Sequence, residues 1–198
     1  MISWASILVG YALGCLQTGW LLARLLKGTD LRRVGSGSTG ARNAGRVLGP
    51  VGFAVVLLAD AGKAALALWV ADRLHASAEI RALVLPAVVT GHIWPIPLRL
   101  QGGRGLTTAL GGWLYMDPRL LVAPAVVVLL LYAATRRFSH SLSLAILAVP
   151  FGALALSSTI ETIAGTGLVA LLVVFAHRSY WMTVPQVSQG AVASRPGG

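Results

Sequence analysis

The sequence predicts an all-α membrane protein with seven transmembrane helices, and three observations lead to this prediction. Of the 198 residues, 56% are hydrophobic and only 11% are charged, whereas a soluble domain carries about 25% charged residues. Seven apolar segments follow one another along the chain, and several approach the roughly 20 residues that a helix needs to cross a bilayer. The loops between these segments alternate between positive and non-positive charge. A soluble domain is therefore excluded as the fold class.

The seven segments are separated by short loops. The first has no basic stretch before it and no small-residue cleavage pattern after it, so it is interpreted as a retained transmembrane helix rather than a signal peptide. The fourth is the weakest, because Leu106–Met116 is short and Asp117-Pro118 follows at once. A re-entrant or half helix is the alternative there. The approximate bounds are 2–26, 51–71, 80–98, 104–118, 119–135, 141–158 and 160–176.

The charges of the loops predict the orientation. Six basic residues and one aspartate lie between residues 24 and 46, and the third and fifth loops each hold two arginines without an acidic residue. The second and fourth loops are balanced, and the sixth holds only Glu161. Because Lys and Arg accumulate in cytoplasmic loops, we expect the N-terminus outside and the C-terminus in the cytoplasm. Residues 1–180 are predicted to form a single polytopic domain, and residues 181–198 a polar, disordered tail.

The net charge of +10 is interpreted mainly as this topology signal. Nucleic-acid binding needs an exposed basic fold, which such an apolar chain lacks, so no nucleic-acid partner is predicted. The single cysteine, Cys15, lies in the first apolar segment and forms no intramolecular disulfide. No metal-spaced set of Cys and His and no G-x-S-x-G motif is present. We therefore predict neither a metal nor a cofactor.

The first loop contains a stretch rich in glycine and hydroxyl groups, followed by two arginines. Glycines let successive backbone N–H groups point into one concavity, and hydroxyl and guanidinium groups complete a site for an anion. A flexible connector is the alternative, and the stretch lacks the G-K-[ST] end of a P-loop. Its density of donors nevertheless favours phosphate binding. The candidate residues are Ser36, Gly37, Ser38, Gly40, Arg42, Asn43 and Arg46.

A second glycine loop follows the third apolar segment. His92 lies near the end of that segment, and Gly102-Gly103-Arg104-Gly105 follows it. An isolated intramembrane histidine is more often a packing residue. Its position before a basic glycine loop favours a functional role, because an imidazole near a phosphate acts as a general base on a hydroxyl group or orients it.

Three further polar features lie in or beside apolar segments. Asp60 and Lys63 are three residues apart and share one helix face, and an internal ion pair with a mainly structural role is favoured slightly over substrate contact. Ser141 and Ser143 follow Arg136-Arg137, where a simple interfacial helix start is the alternative. His177 closes the last segment. The predicted topology brings the two glycine loops, the serines and His177 to the cytoplasmic face.

These residues resemble the bacterial acyl-phosphate:glycerol-3-phosphate acyltransferases, a small polytopic family that makes lysophosphatidic acid. The resemblance covers nearly the whole chain up to about residue 180. Its most specific part is the first glycine loop, and the D-x-x-K pattern of the second helix is also present. The matching positions are 27–43, Arg46, Gly49, Asp60, Lys63, 91–95, 102–105 and 137–142.

The resemblance implies an enzyme of phospholipid synthesis in the plasma membrane of a bacterium. Its substrates would be acyl phosphate and glycerol 3-phosphate, without coenzyme A or acyl carrier protein, and another enzyme would supply the acyl phosphate. By this analogy Ser36, Gly37, Ser38, Gly40 and Asn43 would hold the acyl phosphate. Arg46, Arg104 and His177 would engage the glycerol phosphate. His92, Ser141 and Arg104 would be catalytic, with Arg42, Asp60, Lys63, Gly102, Gly103 and Ser143 in support.

The sequence departs from the family pattern at five positions. Ser38 stands where the family has Asn, Arg42 where it has Thr, and Arg104 where it has Lys; Tyr180 and Thr183 replace an Asn and a basic residue. Two alternatives therefore accompany the acyltransferase. One is a divergent or inactive paralogue that binds or acylates another phosphorylated precursor. The other is an organic-anion transporter, which the nearly charge-balanced outer loops disfavour.

Overall fold

The computed structural model describes residues 2–178, with side chains from residue 4 onward. Within this range the chain is helical and contains no β-strand, which confirms the predicted all-α fold. The predicted tail at 181–198, and with it Tyr180 and Thr183, lies outside the described residues. The helices are α1 Ile2–Gly14, α2 Thr18–Lys27, α3 Ala41–Arg73, α4 Ala78–Ile93, α5 Leu106–Met116, α6 Val122–Thr135, α7 Phe138–Ala145, α8 Val149–Ala155 and α9 Ile160–Ala176.

Each predicted apolar segment corresponds to a helix or to a consecutive pair of helices. Among residues 2–178, five helical stretches are long and apolar enough to cross a membrane: Trp4–Lys27, Ala41–Arg73, Ala78–Leu98, Pro118–Thr135 and Phe138–Ala155. The chain is therefore a multi-pass membrane protein. The other two segments are shorter, because α5 has 11 residues and α9 has 17. The fourth segment, α5, was expected to be the weakest, and the count of seven spans stays a prediction.

Small residues let the helices approach one another closely. A side-chain carbon on Gly91 of α4 would lie 3.1 Å from Cα of Gly14 at the end of α1. Gly111 of α5 lies against the backbone of Ala61 in α3, where such a carbon would be 2.7 Å from the Ala61 carbonyl carbon. Membrane helices gain little from burying apolar area against one another, so this close backbone packing is their main source of association.

Two breaks in the helices shape the end of the bundle that carries the polar loops. Residues 15–17 interrupt the helix between α1 and α2, which leaves the carbonyl groups of Gly14 and Leu16 to bond with side chains. In α3, Gly49 has φ 76° and ψ −172°, a left-handed backbone that favours glycine. With Pro50 next to it, Gly49 separates a short helical part at 41–48 from the long part that follows.

Gln17 connects these parts at the α1/α2 break. Its side-chain amide donates to the Gly14 carbonyl and the His92 carbonyl, both at 3.1 Å. Its side-chain oxygen accepts a 2.5 Å hydrogen bond from the hydroxyl of Thr39 in the first glycine loop. The break in the first transmembrane segment, the end of α4 and the first loop therefore meet at one buried amide.

Candidate functional site

The first glycine loop wraps around the buried side chain of Asn43. The Asn43 side-chain oxygen accepts a 3.1 Å hydrogen bond from the backbone N–H of Ser36. Its amide nitrogen donates to three loop carbonyls, those of Leu31, Val34 and Ser38, at 2.9–3.1 Å. Arg46 donates to the same side-chain oxygen at 3.4 Å. Asn43 therefore fixes the shape of the loop from inside, and Arg46 supports it from the next turn of the helix.

The second glycine loop folds back onto the end of α4. The backbone N–H of Gly103 donates to the His92 carbonyl at 2.9 Å, and that of Gly102 donates to the Ile93 carbonyl at 3.1 Å. Gly103 lies against the His92 ring so closely that a side-chain carbon there would overlap it. Only glycine at position 103 leaves room for the histidine.

The two glycine loops also contact each other. The backbone N–H of Thr39 donates to the Gly102 carbonyl at 3.4 Å, and the guanidinium of Arg104 donates to the Ser36 carbonyl at 3.5 Å. The predicted convergence of the two loops is thus present in the structure, and Arg104 lies beside the first loop as well as in the second.

A buried triad of ionisable side chains lies below the loops. The Lys63 ammonium is 2.9 Å from the Asp60 carboxylate and 2.8 Å from Nδ1 of His92. It also donates to the Leu16 carbonyl at 2.9 Å, which the α1/α2 break has left exposed to it. Asp60, Lys63 and His92 are 2%, 6% and 3% exposed. The expected internal pair of Asp60 and Lys63 is present, and it extends to the histidine.

This triad determines which nitrogen of His92 carries the proton. An ammonium group has only donors, so Nδ1 of His92 must accept from Lys63. In a neutral imidazole the proton is then on Nε2, the nitrogen that lies against Gly103. His92 therefore presents a hydrogen-bond donor. The sequence left two roles open for this residue, base or orienting group, and the contacts favour the second.

His177, directly after α9, has the opposite arrangement. Its Nδ1 lies 2.7 Å from the Val173 carbonyl, which only accepts, so Nδ1 carries the proton and Nε2 is the acceptor of the neutral ring. Burial lowers the pKa of His177, and the nearby Arg104 cation lowers it further, against the opposing effect of the Val173 carbonyl. The ring is therefore neutral around pH 7.

These groups line one cavity of about 470 Å³, which we call the central cavity. The lining residues divide by chemistry into two sets. The polar set, which we call the polar wall, includes residues of both glycine loops, His92, His177 and two arginines, and the larger apolar side chains form the set that we call the apolar wall. The polar wall contains Ser36, Ser38, Gly40, Arg42, Asn43, Asp60, His92, Arg104, Thr107, Ser139 and His177; the apolar wall contains Phe53, Leu57, Leu106, Leu110, Phe138 and Leu142.

Several predicted site residues lie behind the wall of the central cavity. Lys63, Gly102 and Gly103 hold His92 and the second loop. Gly37 of the first loop and Arg46 of α3 are exposed and do not line the cavity either. Ser143 is buried, and its hydroxyl donates to the His140 carbonyl at 3.0 Å. These residues support the site rather than form its surface.

Ser141, predicted to be catalytic, does not line the central cavity. It is 1% exposed, and its hydroxyl donates to the Arg137 carbonyl at 3.1 Å. The cavity is lined instead by Ser139, whose hydroxyl accepts a hydrogen bond from the Arg42 guanidinium. Because α7 begins at Phe138, the residues Phe138, Ser139 and Leu142 share one helix face.

A cavity with this composition can hold phosphate groups at one wall and an apolar chain at the other. Arginine forks and backbone N–H groups bind phosphate oxygens, while six apolar side chains provide a surface for a hydrocarbon. Sequence reasoning did not identify these apolar residues individually, because nothing distinguishes them from lipid-facing residues in an apolar helix.

The chain is similar to known proteins over most of its length. The family model described as glycerol-3-phosphate acyltransferase matches residues 4–183. The chain is 44% identical over 178 residues to glycerol-3-phosphate acyltransferase 1 of Desulfitobacterium hafniense (strain Y51), covering 90% of this chain and 88% of that protein. It is 42% identical to glycerol-3-phosphate acyltransferase of Myxococcus xanthus (strain DK1622), over 88% of this chain and 91% of that protein.

A solved structure is similar over the same length. The crystal structure of PlsY (YgiH), an integral membrane glycerol 3-phosphate acyltransferase, in its glycerol 3-phosphate form, superimposes with a TM-score of 0.81. Sequence identity is 26%, and the match covers 90% of each chain.

Proposed function

Because this chain belongs to the glycerol-3-phosphate acyltransferase family, we propose that its central cavity catalyses transfer of an acyl group to the 1-hydroxyl of glycerol 3-phosphate. The product is lysophosphatidic acid, a precursor of membrane phospholipids. One observation carries the assignment to this cavity: two glycine loops with Arg42 and Arg104 form one wall, and six apolar side chains form the other. An acylated phosphate ester needs both kinds of surface.

We propose acyl phosphate as the donor, because the polar wall offers two separate places for a phosphate. The first glycine loop with Arg42 is one, and Arg104 of the second glycine loop is the other. The hydroxyl oxygen of glycerol 3-phosphate attacks the acyl carbonyl carbon, and the bond between that carbon and the phosphate oxygen breaks. The hydroxyl proton ends on the departing inorganic phosphate, so no net proton is taken from the enzyme.

The two histidines have complementary roles in this proposal. Nε2 of His177 accepts the hydrogen bond of the attacking hydroxyl and so orients its oxygen. Nε2–H of His92 donates to a phosphate or carbonyl oxygen, where negative charge develops during attack, together with the Arg104 guanidinium. Phosphate is a good leaving group, and a strong enzymic base is therefore unnecessary.

The orientation in the membrane is part of the same proposal. The loop charges favour seven transmembrane helices with an outside N-terminus, which turns the glycine loops and the central cavity to the cytoplasm of a bacterium. Glycerol 3-phosphate would then enter from the aqueous side, and a soluble or peripheral enzyme would supply acyl phosphate. Labelling of single cysteines introduced at Ser77 and at Gln101 in a Cys15→Ser background, on opposite predicted sides, tests this orientation.

The decisive experiment uses the detergent-purified protein with palmitoyl phosphate. Phosphate release and lysophosphatidate formation that both depend on glycerol 3-phosphate are expected. Arg104→Ala should reduce the rate by about 100-fold or more, as loss of a group that stabilises developing charge does. Arg73→Ala, at the far end of α3, should not change the rate. Absence of product from a folded wild-type sample would instead indicate a divergent paralogue.

A further inference from the structure

A second cavity, also about 470 Å³, lies outside the central cavity and shares no residue with it. It is formed between Trp20, near the start of α2, with the turn that follows α2, and the turn after α4. We call it the arginine pocket. Its lining residues are Trp20, Asp30, Arg32, Arg33, Pro97, Leu98, Arg99 and Gln101.

The floor of the arginine pocket is held in place by an ion pair. The Arg32 guanidinium lies 2.6 Å from the Asp30 carboxylate and donates to the Leu98 carbonyl at 3.2 Å, which joins the two turns. The indole N–H of Trp20 donates to the same carboxylate at 3.1 Å. Because of these contacts the Asp30 charge is already neutralised, and the shape of the pocket does not depend on a ligand.

Two cations at the rim of the arginine pocket remain. Arg33 and Arg99 both have exposed side chains. Neither forms an ion pair with any of the residues 2–178 that the structure describes. Asp30 is the one acidic residue that lines the pocket, and Arg32 pairs with it, so the pocket has an excess of positive charge. Such a concave, cationic surface attracts an anion with several oxygens.

Exposed apolar side chains lie close along the chain to the residues that line the pocket. Leu25 and Leu26 at the end of α2 are 70% and 67% exposed, and Ile96 and Leu100 in the opposite turn are 68% and 54% exposed. In a membrane protein such side chains contact lipid, and a tryptophan with a bonded N–H is typical of the bilayer interface. Arg99 and Leu100 both have a left-handed backbone conformation, with φ of 55° and 62°. This turn presents an exposed cation and an exposed apolar side chain at neighbouring positions.

We propose that the arginine pocket binds the phosphate of an anionic phospholipid of the surrounding membrane. The arginines hold the phosphate, and the acyl chains lie against the exposed leucines and isoleucine. A free phosphate ion would use the cations but not the apolar flanks. Because Arg33 precedes the first glycine loop and Gln101 precedes the second, the bound lipid would hold the two loops together from outside.

The test is native mass spectrometry of the full chain, purified in detergent and mixed with phosphatidylglycerol or with phosphatidylcholine of the same acyl chains. Wild type is expected to retain phosphatidylglycerol in preference to phosphatidylcholine. Arg33→Gln with Arg99→Gln should reduce retained phosphatidylglycerol by about tenfold, because each arginine near an anionic headgroup contributes to binding. Arg73→Gln is the control. It also replaces an exposed arginine by glutamine, but Arg73 is the last residue of α3 and does not line the arginine pocket.

Three results would overturn the proposal: equal retention of phosphatidylglycerol by wild type and the double variant, equal retention of both lipids by wild type, or complete displacement of lipid by inorganic phosphate. The last would identify the pocket as a site for free phosphate. The unfolding temperature of the double variant establishes that it is folded. If it is not, the single variants are measured, each with an expected loss of about threefold.

Discussion

The Lys63 ammonium lies 2.8 Å from Nδ1 of His92, and this contact makes His92 a hydrogen-bond donor toward the central cavity. Both residues are almost fully buried, and the Asp60 carboxylate completes the set at 2.9 Å from Lys63. The pair connects α3 to α4 across 29 positions of sequence. The Lys63 ammonium therefore has two effects: it stabilises the buried Asp60 carboxylate, and it determines which nitrogen of the His92 ring carries the proton.

The first prediction concerns stability. Lys63→Met leaves the Asp60 carboxylate buried without its cation, and loss of one partner of a buried pair costs about 3–5 kcal/mol. The free energy of unfolding, measured by denaturation in detergent micelles, should therefore fall by about 3–5 kcal/mol. Asp60→Leu combined with Lys63→Met should recover much of the stability but not the activity. Equal instability of the single and double variants would contradict the assignment of the loss to an unpaired charge.

The second prediction separates a donor from a base at His92. The side-chain amide of glutamine has an N–H near the position of Nε2, so His92→Gln should keep activity within about tenfold, whereas His92→Leu should lose about 100-fold. Rates of lysophosphatidate formation measure both. If the two variants lose activity to the same extent, His92 is not acting as a donor.

The third prediction concerns the space beside His92. Gly103→Ala would place a carbon where the His92 ring lies, and the ring must then move away from the cavity. A loss of at least about tenfold in kcat is expected, because displacement of a catalytic group by about 1 Å has large effects. Gly62→Ala in α3 is the matched control, since no atom lies within 4 Å of the added carbon; it should retain wild-type rates.

The fourth prediction is a pH dependence that arises from His177. Its pKa lies below the usual 6.5 because of burial and the Arg104 cation, so the ring stays neutral until the pH falls below that value. Protonation then removes the acceptor at Nε2, and kcat/KM for glycerol 3-phosphate should decline toward low pH. Rates measured between about pH 5 and 8 test this. His177→Gln should lose that decline, apart from the part due to titration of the substrate phosphate itself.

The helical segments and the glycine loops were predictable from the sequence because each depends on local composition. Apolar runs of about 20 residues form membrane helices, and a run of glycines forms a loop with closely spaced backbone N–H groups. That the glycine loops bind an anion stays a prediction. Their convergence followed from the charge alternation of the loops. Asp60 and Lys63 were recognised as a pair for the same local reason, since they are one helical turn apart.

Contacts between helices were not predictable in this way. Nothing in the sequence states that Lys63 reaches His92, because only the packing of α3 against α4 brings them together. The resemblance pointed to Ser141, and the sequence does not show at which residue α7 begins, which decides the face on which each serine lies. The arginine pocket likewise depends on how the turns after α2 and α4 meet.

The central cavity has one wall that tolerates little change and one that tolerates much. On the polar side, Gly103 has no space for any added atom and Asn43 has a partner for each of its polar atoms, so substitutions there disturb the whole arrangement. On the apolar side, Phe53, Leu57, Leu110 and Phe138 are replaceable by other hydrocarbons of similar volume at small cost. Under the proposed function the acyl chain lies against these side chains, and engineering of acyl-chain selectivity should begin with these four positions.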